Sequence, residues 1–328
     1  MDFKEYLMED ALSAIIDYPG KTPQKAENGI PTLSAKSVKN NYIYYAECYY
    51  ISEAEYKRFM VRGFPKKGDI LLTTEAPMGM VARLDRDDIA IAQRLLTLRG
   101  KEGVLDNDYL LYLLQSPYGQ GLLKAKETGT TVTGIKQAEF RRVVIKLPDI
   151  AVQKKVTSIL NAIDSKISCN TKINDNLQQQ AQTLFAEHFC LRSGDSIPDG
   201  WSLISLGDVA VISNKSFNPL KQPETMLEHY SIPAFDETRY PVFELSPAIK
   251  SNKFVVDADC FMISKLNPTT KRVWRPYCMT NNAVCSTEFI VYKAKERMLT
   301  DFLYSLIDSV PFSDFMCSHV TGSTGSRQ

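Results

Sequence analysis

The sequence predicts an α+β protein with two similar globular domains of mixed strands and helices, joined by a long coiled-coil-like helix. The first observation behind this prediction is the length of 328 residues, which suits two domains. The second is a pattern that occurs twice along the chain, and the third is an uninterrupted helical segment between the two copies. With 44% hydrophobic and 23% charged residues, the composition is that of an ordinary folded protein.

An internal repeat defines the two domains. The copies match at DYLLYLLQS (108–116) with DFLYSLIDS (301–309) and at ETGTTVTGIKQ (127–137) with VTGSTGSRQ (320–328), both at an offset of 193. They also pair at GDILLTT (68–74) with ADCFMIS (258–264), at an offset of 190, and at MDFKEYLMED (1–10) with DGWSLISLGD (199–208), at an offset of 198. Each copy is therefore expected to contain a strand, a helix and a Gly/Thr turn in the same order, with insertions and deletions in the loops.

The segment between the copies predicts one long helix. Residues 151–189 contain neither Gly nor Pro, which at about 1.5 Å per residue gives a helix of about 58 Å. Apolar residues recur along it at steps near three and four, and Asn170 falls within them at a position where a polar residue commonly sets coiled-coil register. We call these residues the apolar stripe and expect them to bind a partner: Val156, Ile163, Ile167, Asn170, Ile173, Leu177 and Leu184.

Two interpretations of this helix are open. The helix either packs its apolar stripe against its own domains, or serves as a coiled-coil spacer whose stripe contacts another chain. The second is favoured because so long a stripe has no adjacent core segment to cover it.

The predicted domain boundaries follow from these features. The first module covers residues 1–150, the spacer helix 151–191 and the second module 192–328, which opens with the Gly- and Pro-containing linker RSGDSIPDG. Counterparts of FRRVVIKLPD and of the long helix are missing after the second copy, so we expect the second module to be C-terminally incomplete.

Composition excludes several classes of protein. The net charge of +1 lacks the global positive field of many nucleic-acid binders, so any DNA binding must come from local patches. No apolar run is long enough for a transmembrane helix and the acidic N-terminal segment is no signal peptide, which predicts a cytoplasmic protein without membrane contact. The seven cysteines are scattered, which predicts reduced, mostly buried thiols and no metal site.

The order of motifs resembles the specificity subunit of Type I restriction-modification systems. In the first copy the resemblance rests on IIDYPGKTP, GDILLTTEAPMG, the helix ending at Gln115 and Ser116, and the segment from TGTTVTGIKQ through FRRVVIKLPD to KKVTSIL. In the second copy it rests on IPDGW, ISKLNP, CSTEFIVY and TGSTGSRQ, and it covers essentially the whole chain.

This resemblance implies a function and partners. It implies that two target-recognition domains each read half of a split target in double-stranded DNA, and that the helical region docks methyltransferase (M) subunits and through them restriction (R) subunits. It implies that S-adenosylmethionine, ATP and Mg²⁺ belong to those partners, so no cofactor is expected on this chain. Self-association through the long helix is a second way to complete the assembly.

Local basic segments and Gly/Thr turns supply the candidate DNA contacts. Lys and Arg neutralise phosphates, while Arg and Gln can also reach base edges. The segments are KRFMVRGFPKK at 57–67, KLNPTTKRVWRP at 265–276 and the two Gly/Thr turns. The candidate residues are Lys66, Lys67, Thr130, Thr131, Lys136, Lys265, Lys271, Arg272, Arg275, Ser323, Thr324, Arg327 and Gln328.

Each segment also has a purely structural interpretation. The basic runs would then be solvated faces, Trp274 a core residue of a hairpin, and the glycines β-turn residues with positive φ.

No catalytic motif accompanies these segments. The chain lacks an (Asn/Asp/Ser)-Pro-Pro-(Tyr/Phe) motif for a target amine, and GKT at 20–22 has Ile15 where a P-loop needs its first Gly. His188, His229 and His319 have no suitably spaced nucleophile. The sequence therefore predicts a non-catalytic DNA-reading subunit. The alternative is a truncated variant that acts as a protein-interaction adaptor or recombination cassette without reading DNA itself.

Overall fold

The computed structural model describes residues 2–18, 22–129, 133–191, 196–222 and 224–320. The chain divides into two compact units, Met1–Asn170 and Thr171–Gln328. Each unit mixes strands and helices, and one helix covers Ile150–Phe189, so the predicted fold class is confirmed and the predicted helix is right to within one residue. The domain boundaries at residues 150 and 191 stay predictions.

The first unit contains a four-stranded sheet, a three-stranded sheet and two strand pairs. Its strands are β1 (Lys4–Leu7), β2 (Leu12–Asp17), β3 (Ile30–Leu33), β4 (Val38–Lys39), β5 (Tyr42–Ile43), β6 (Tyr49–Ile51), β7 (Ile70–Thr73), β8 (Val81–Arg83), β9 (Ala90–Ile91), β10 (Leu95–Gly100) and β11 (Val144–Leu147). Its helices are α1 (Met8–Ala11), α2 (Glu53–Phe59), α3 (Asn107–Gln115), α4 (Pro117–Lys124), α5 (Gln137–Arg141) and the first part of α6 (Ile150–Phe189).

Its main sheet has the antiparallel order β2–β10–β7–β8, and the smaller sheet β6–β3–β9 pairs β3 with β9 in parallel. Side chains alternate between the two faces of a strand. Ile70 and Leu72 of β7 therefore join a core cluster that includes α3, while Leu71 joins a second cluster on the other face. Both faces of the sheet are buried, which fixes the loops at its ends.

The second unit repeats this arrangement. Its strands are β12 (Ala210–Ile212), β13 (Ser216–Phe217), β14 (Met226–Tyr230), β15 (Val242–Leu245), β16 (Lys253–Val255), β17 (Cys260–Ser264), β18 (Val273–Trp274), β19 (Ala283–Ser286) and β20 (Phe289–Ala294). Its helices are α7 (Leu206–Val209), α8 (Ile232–Thr238), α9 (Thr300–Ile307), α10 (Val310–Ser318) and the last part of α6.

The sheet order β12–β20–β17–β18 matches that of the first unit strand for strand, and β14 pairs in parallel with β19 as β3 does with β9. The second sheet has the order β13–β16–β19–β14–β15. Helices α3 and α9 are the segments that the sequence repeat aligned. A serine follows each of them and caps the next helix, Ser116 for α4 and Ser309 for α10. The predicted pair of similar domains is therefore built on one topology.

Candidate nucleic-acid interface and partner-binding helix

Two loops lie together at one end of the main sheet of the first unit. The 74–80 loop connects β7 to β8, and residues 133–136, which lead into α5, form the second loop together with residues 128–129. Backbone bonds join Thr128 to Gly134 in both directions, and Ile135 donates to the carbonyl of Thr74 at 2.9 Å. A Cβ on Gly134 would lie 2.6 Å from that carbonyl oxygen, so only glycine permits this close approach.

The 74–80 loop is held firmly. Gln120 of α4 donates to the carbonyl of Gly79 at 2.9 Å, and the Thr73 hydroxyl donates to that of Pro77 at 2.7 Å. A surface cleft of about 590 Å³ borders the loop. Its lining residues are Ala76, Pro77, Met78, Gln120, Gly121, Lys124, Glu127 and Thr133.

Cationic side chains surround this pair of loops. Lys136, a predicted DNA contact, is exposed at the start of α5, and Lys124 is exposed on α4. Arg94 lies 3.2 Å from Glu75. The sequence had not singled out Lys124, although its spacing of four residues from Gln120 places both on one helical face.

The second unit places its basic segment at the equivalent position. The 265–272 loop connects β17 to β18 as the 74–80 loop connects β7 to β8. Each loop contains a non-glycine residue with positive φ, Ala76 at 55° and Asn267 at 50°. Lys265, Lys271 and Arg272 lie in or beside this loop, and Arg275 follows β18.

Three of these cations already have carboxylate partners. Lys271 lies 2.9 Å from Asp308, Arg272 donates to both oxygens of Asp236 at 2.6 and 2.9 Å, and Arg275 pairs with Asp301. Trp274 is 4% exposed and belongs to a core cluster, as the structural interpretation of this hairpin expected. Lys265 forms no ion pair within the described ranges. The predicted DNA contacts of these four residues stay predictions.

Lys66 and Lys67 lie elsewhere on the first unit. They precede the first residue of β7, Ile70, which pairs with Leu98. The 74–80 loop follows the last residue of β7, Thr73, which pairs with Leu95. Both lysines are exposed, but they lie at the opposite end of β7 from Lys136. The structure therefore does not bring these candidates together.

The six remaining candidate DNA contacts lie outside the described residues: Thr130, Thr131, Ser323, Thr324, Arg327 and Gln328.

The apolar stripe of α6 faces away from the chain. The apolar members are exposed by between 38% at Val156 and 58% at Ile167, and Asn170 is exposed as well. Single exposed apolar residues are common, but a row that runs from Val156 to Leu184 along one helix is typical of a binding surface.

Polar residues of α6 make many of its intramolecular contacts, and near its C-terminal end the buried Phe185 packs against Phe302. Gln153 is fully buried and donates to the carbonyls of Val104 and Pro148 at 2.8 and 2.9 Å. Farther along, Asn161 donates to Asp108 at 2.6 Å. No sequence motif marks these residues, although Gln153 and Asn161 are eight residues apart and so lie on the same side of the helix.

The hydroxyl of Tyr112 donates a hydrogen bond to Asp164 on α6 at 2.8 Å. Burial, followed by the hydrogen bond to Asp164, raises the pKa of Tyr112. The hydroxyl therefore stays protonated and remains a donor to α6 at any physiological pH.

In the part of the chain that the structure describes, no group of three His, Cys, Asp or Glu side chains could hold a metal ion. No described helix is long and apolar enough to cross a membrane.

Comparison with known proteins identifies the family. The model of the Type I restriction modification DNA specificity domain matches residues 17–179, about half of the chain. The specificity subunit of the Type I restriction enzyme MjaIX from Methanocaldococcus jannaschii is 31% identical over 219 residues, which is 62% of this chain and 50% of that protein. The chain belongs to the Type I restriction-modification specificity family.

Other members of the Type I specificity family extend this likeness. The specificity subunit of the HindI enzyme from Haemophilus influenzae is 25% identical over 230 residues, 66% of this chain and 48% of that protein. The chain thus spans about half the length of these curated relatives. The crystal structure of a Type-I restriction-modification system S subunit from M. genitalium has the same fold, with a TM-score of 0.53 at 15% identity over 97% of this chain and 80% of that one. The predicted family resemblance is confirmed.

Proposed function

We propose that this chain is a DNA-reading specificity subunit of a Type I restriction-modification complex and carries no catalytic site of its own. In this function its two units each read one half of a bipartite target in double-stranded DNA. Methyltransferase subunits, and through them restriction subunits, are directed to that target in the cytoplasm. S-adenosylmethionine, ATP and Mg²⁺ are supplied to the complex by those subunits.

The observation that carries the DNA-reading proposal is the equivalent loop on an equivalent sheet in both units. The 74–80 and 265–272 loops both follow the third strand of the order shared by the two main sheets. Two similar loops on two similar modules suit two similar half-sites, as paired modules do in other DNA-binding proteins.

The same repeat favours one end of the sheet over the other. The residue equivalent to Lys67 in the second unit is Asp257, which is paired with Lys293, and Asp259 follows nearby. The position of Lys67 thus holds a carboxylate in the second unit, whereas the loop end has lysines in both units, so the repeat favours the loop end for phosphate contact. We therefore propose that Lys136 and Lys265 contact the DNA backbone, together with Lys124, and rank Lys66 and Lys67 below them.

The apolar stripe of α6 supports the docking proposal. Helices that expose apolar residues at alternating steps of three and four bury them against another helix. The methyltransferase subunit is the partner that we propose, with a second copy of this chain as the alternative outcome.

Methylome sequencing of a host with and without this chain tests the function. Loss of methylation at a bipartite motif in the deletion strain is expected, and unchanged methylation at every motif would overturn the proposal. Footprinting of the methyltransferase complex on that motif should then protect both half-sites. Partner binding without any protection would instead support the adaptor alternative.

A further inference from the structure

Polar side chains fasten each unit to α6, joined in the second unit by the buried Phe185, which packs against Phe302, whereas the apolar stripe takes no part. In the first unit the contact centres on Tyr112 of α3, whose hydroxyl lies 2.8 Å from Oδ2 of Asp164 and 2.9 Å from Oδ1 of Asn161. Asn41 also donates to Asp164 at 3.1 Å. Asn161 in turn donates to Asp108, which Arg83 holds at 2.6 Å. We call these six residues the first polar lock.

The second unit has a comparable contact at the end of α9. The carboxylate of Asp308, which is 3% exposed, accepts hydrogen bonds from Gln178 at 3.2 Å and from Gln182 at 2.5 Å, both on α6. Lys271 lies 2.9 Å from its other oxygen. We call these four residues the second polar lock. Asp308 is the residue that the sequence repeat aligns with Gln115, so the two helices that the repeat relates, α3 and α9, are both associated with polar contacts to α6.

Hydrogen bonds of this kind determine orientation more strictly than apolar contact does. An apolar surface can slide with little loss because its attraction has no direction, whereas a hydrogen bond weakens steeply when its angle departs from linear. A buried carboxylate left without donors is also costly, so the helix cannot shift by one residue without breaking the lock.

From this geometry we infer that the two polar locks are positioning devices that set the spacing between DNA half-sites which the subunit accepts. The positioning residues are Asn161, Asp164 and Tyr112 in the first unit and Gln178, Gln182 and Asp308 in the second. They need no contact with DNA for this role, because they act through the orientation of each recognition unit on its own part of α6. The inference rests on the proposed function.

Spacing is a sensitive readout of orientation. Inserting one base pair between half-sites moves one of them by about 3.4 Å along the DNA axis and by about 34° around it. A subunit with rigid locks must reject such a target, whereas a subunit with a loosened lock can follow it.

The test uses the assembled complex with its methyltransferase subunits and three DNA duplexes. All carry the motif found by methylome sequencing, one with the native spacer and the others with a spacer one base pair shorter or longer. The unaltered complex should bind the duplex with the native spacer at least about tenfold more tightly than the other two. This ratio is on the order of the penalty for one mismatched base pair. In the Asp164→Ala variant, the ratio of affinities for the native and the altered spacers is expected to fall at least fivefold.

Controls separate positioning from stability. Asp164→Asn retains an oxygen that accepts the Tyr112 hydroxyl and should restore most of the preference, and Ser165→Ala changes an exposed neighbour and should leave it unaltered. A variant that is merely less stable would bind all three duplexes more weakly by the same factor. An unchanged ratio for Asp164→Ala, with or without uniformly weaker binding, overturns the inference. Failure of the unaltered complex to bind any duplex would count against the proposed function instead.

Discussion

Two adjacent titratable residues of the second unit, Glu228 and His229, are buried, and their environments differ. Glu228 accepts hydrogen bonds from Tyr230, Thr280 and Met279 at 2.5, 2.8 and 3.1 Å. Burial alone would raise the pKa of Glu228, but these donors outweigh it and the pKa is lowered. Burial lowers the pKa of His229, and the Glu244 carboxylate at 2.6 Å offsets only part of that effect. Glu228 is therefore held charged and His229 neutral.

We predict that stability falls when the pH drops from about 7.5 to 5.5. Above its ordinary pKa of 6.5 His229 is neutral in both the folded and unfolded states, whereas below it the unfolded chain takes up the proton more readily, so folding loses free energy. Glu228, with an ordinary pKa of 4.5, stays ionised throughout this window. The expected loss is on the order of 1 kcal/mol, or a few degrees in Tm. Thermal unfolding measures it, and a fall of equal size in the His229→Gln variant would refute the assignment.

The cysteines should differ sharply in reactivity. Burial raises the pKa of Cys260 to about 11 and that of Cys285 to about 12, whereas Cys169 is exposed on α6. Because the thiolate is the nucleophile, iodoacetamide at pH 8 should label Cys169 in the folded chain and label Cys260 and Cys285 only after unfolding. Peptide mass spectrometry reads out each site. Rapid labelling of Cys285 under native conditions would contradict the structure.

Sequence could identify charged residues but not their partners. Arg272 and Arg275 were recognised as basic, yet Asp236 and Asp301 are 36 and 26 residues away along the chain. Only the fold brings such residues together, and a long-range ion pair leaves no local pattern. For the same reason the sequence could not separate Lys136 from Lys66 and Lys67.

At the scale of elements, the long helix was the most predictable part of the molecule. The absence of Gly and Pro fixes its extent, and the apolar period fixes its exposed row. The exposure of the apolar stripe agrees with the favoured interpretation that the stripe contacts another chain. The polar contacts of α6 were not predictable, because Gln153, Asn161 and Gln182 bind groups that only the fold brings to the helix.

Substitution within the apolar stripe should abolish partner binding without unfolding the chain. Ile163→Asp with Leu177→Asp places two carboxylates where α6 would bury methyl groups against a methyltransferase subunit, a cost of several kcal/mol at an interface. Both positions are exposed in the chain alone, so Tm should change by little. Co-purification of the methyltransferase subunit measures the loss, which we expect to be at least tenfold.

The matched control adds the same charge to the same helix. Ser165→Asp with Gln179→Asp introduces two carboxylates at exposed positions outside the stripe and should retain the partner. If the stripe variant still co-purified fully, α6 could not be the docking surface. If it changed the chain's own oligomeric state instead, self-association would be the function of the stripe.

At the scale of the whole molecule, the sequence repeat predicted the two related units and the structure explains its varying offset. Strands β7 and β17 differ by 190 residues and helices α3 and α9 by 193, because the intervening loops and strand pairs differ in length. The basic segments 57–67 and 265–276 were candidates on charge alone, with no correspondence between them. The pairing of 68–74 with 258–264 already places 265–272 opposite the residues after 74, and the strand order shows that this loop corresponds to the 74–80 loop.

This equivalence makes a quantitative prediction about DNA affinity. Each lysine that neutralises a phosphate contributes about 0.9 to the slope of log affinity against log salt concentration. In the methyltransferase complex, Lys124→Ala with Lys136→Ala should therefore lower the slope by up to about 1.8 and weaken binding to all target sequences alike. Lys66→Ala with Lys67→Ala removes the same charge at the opposite end of β7 and should leave the slope unaltered. Fluorescence anisotropy between about 50 and 200 mM salt resolves the two cases. The reverse result would move the DNA to the end of the sheet where the second unit has Asp257 in place of Lys67, and the two units could then no longer use equivalent lysines.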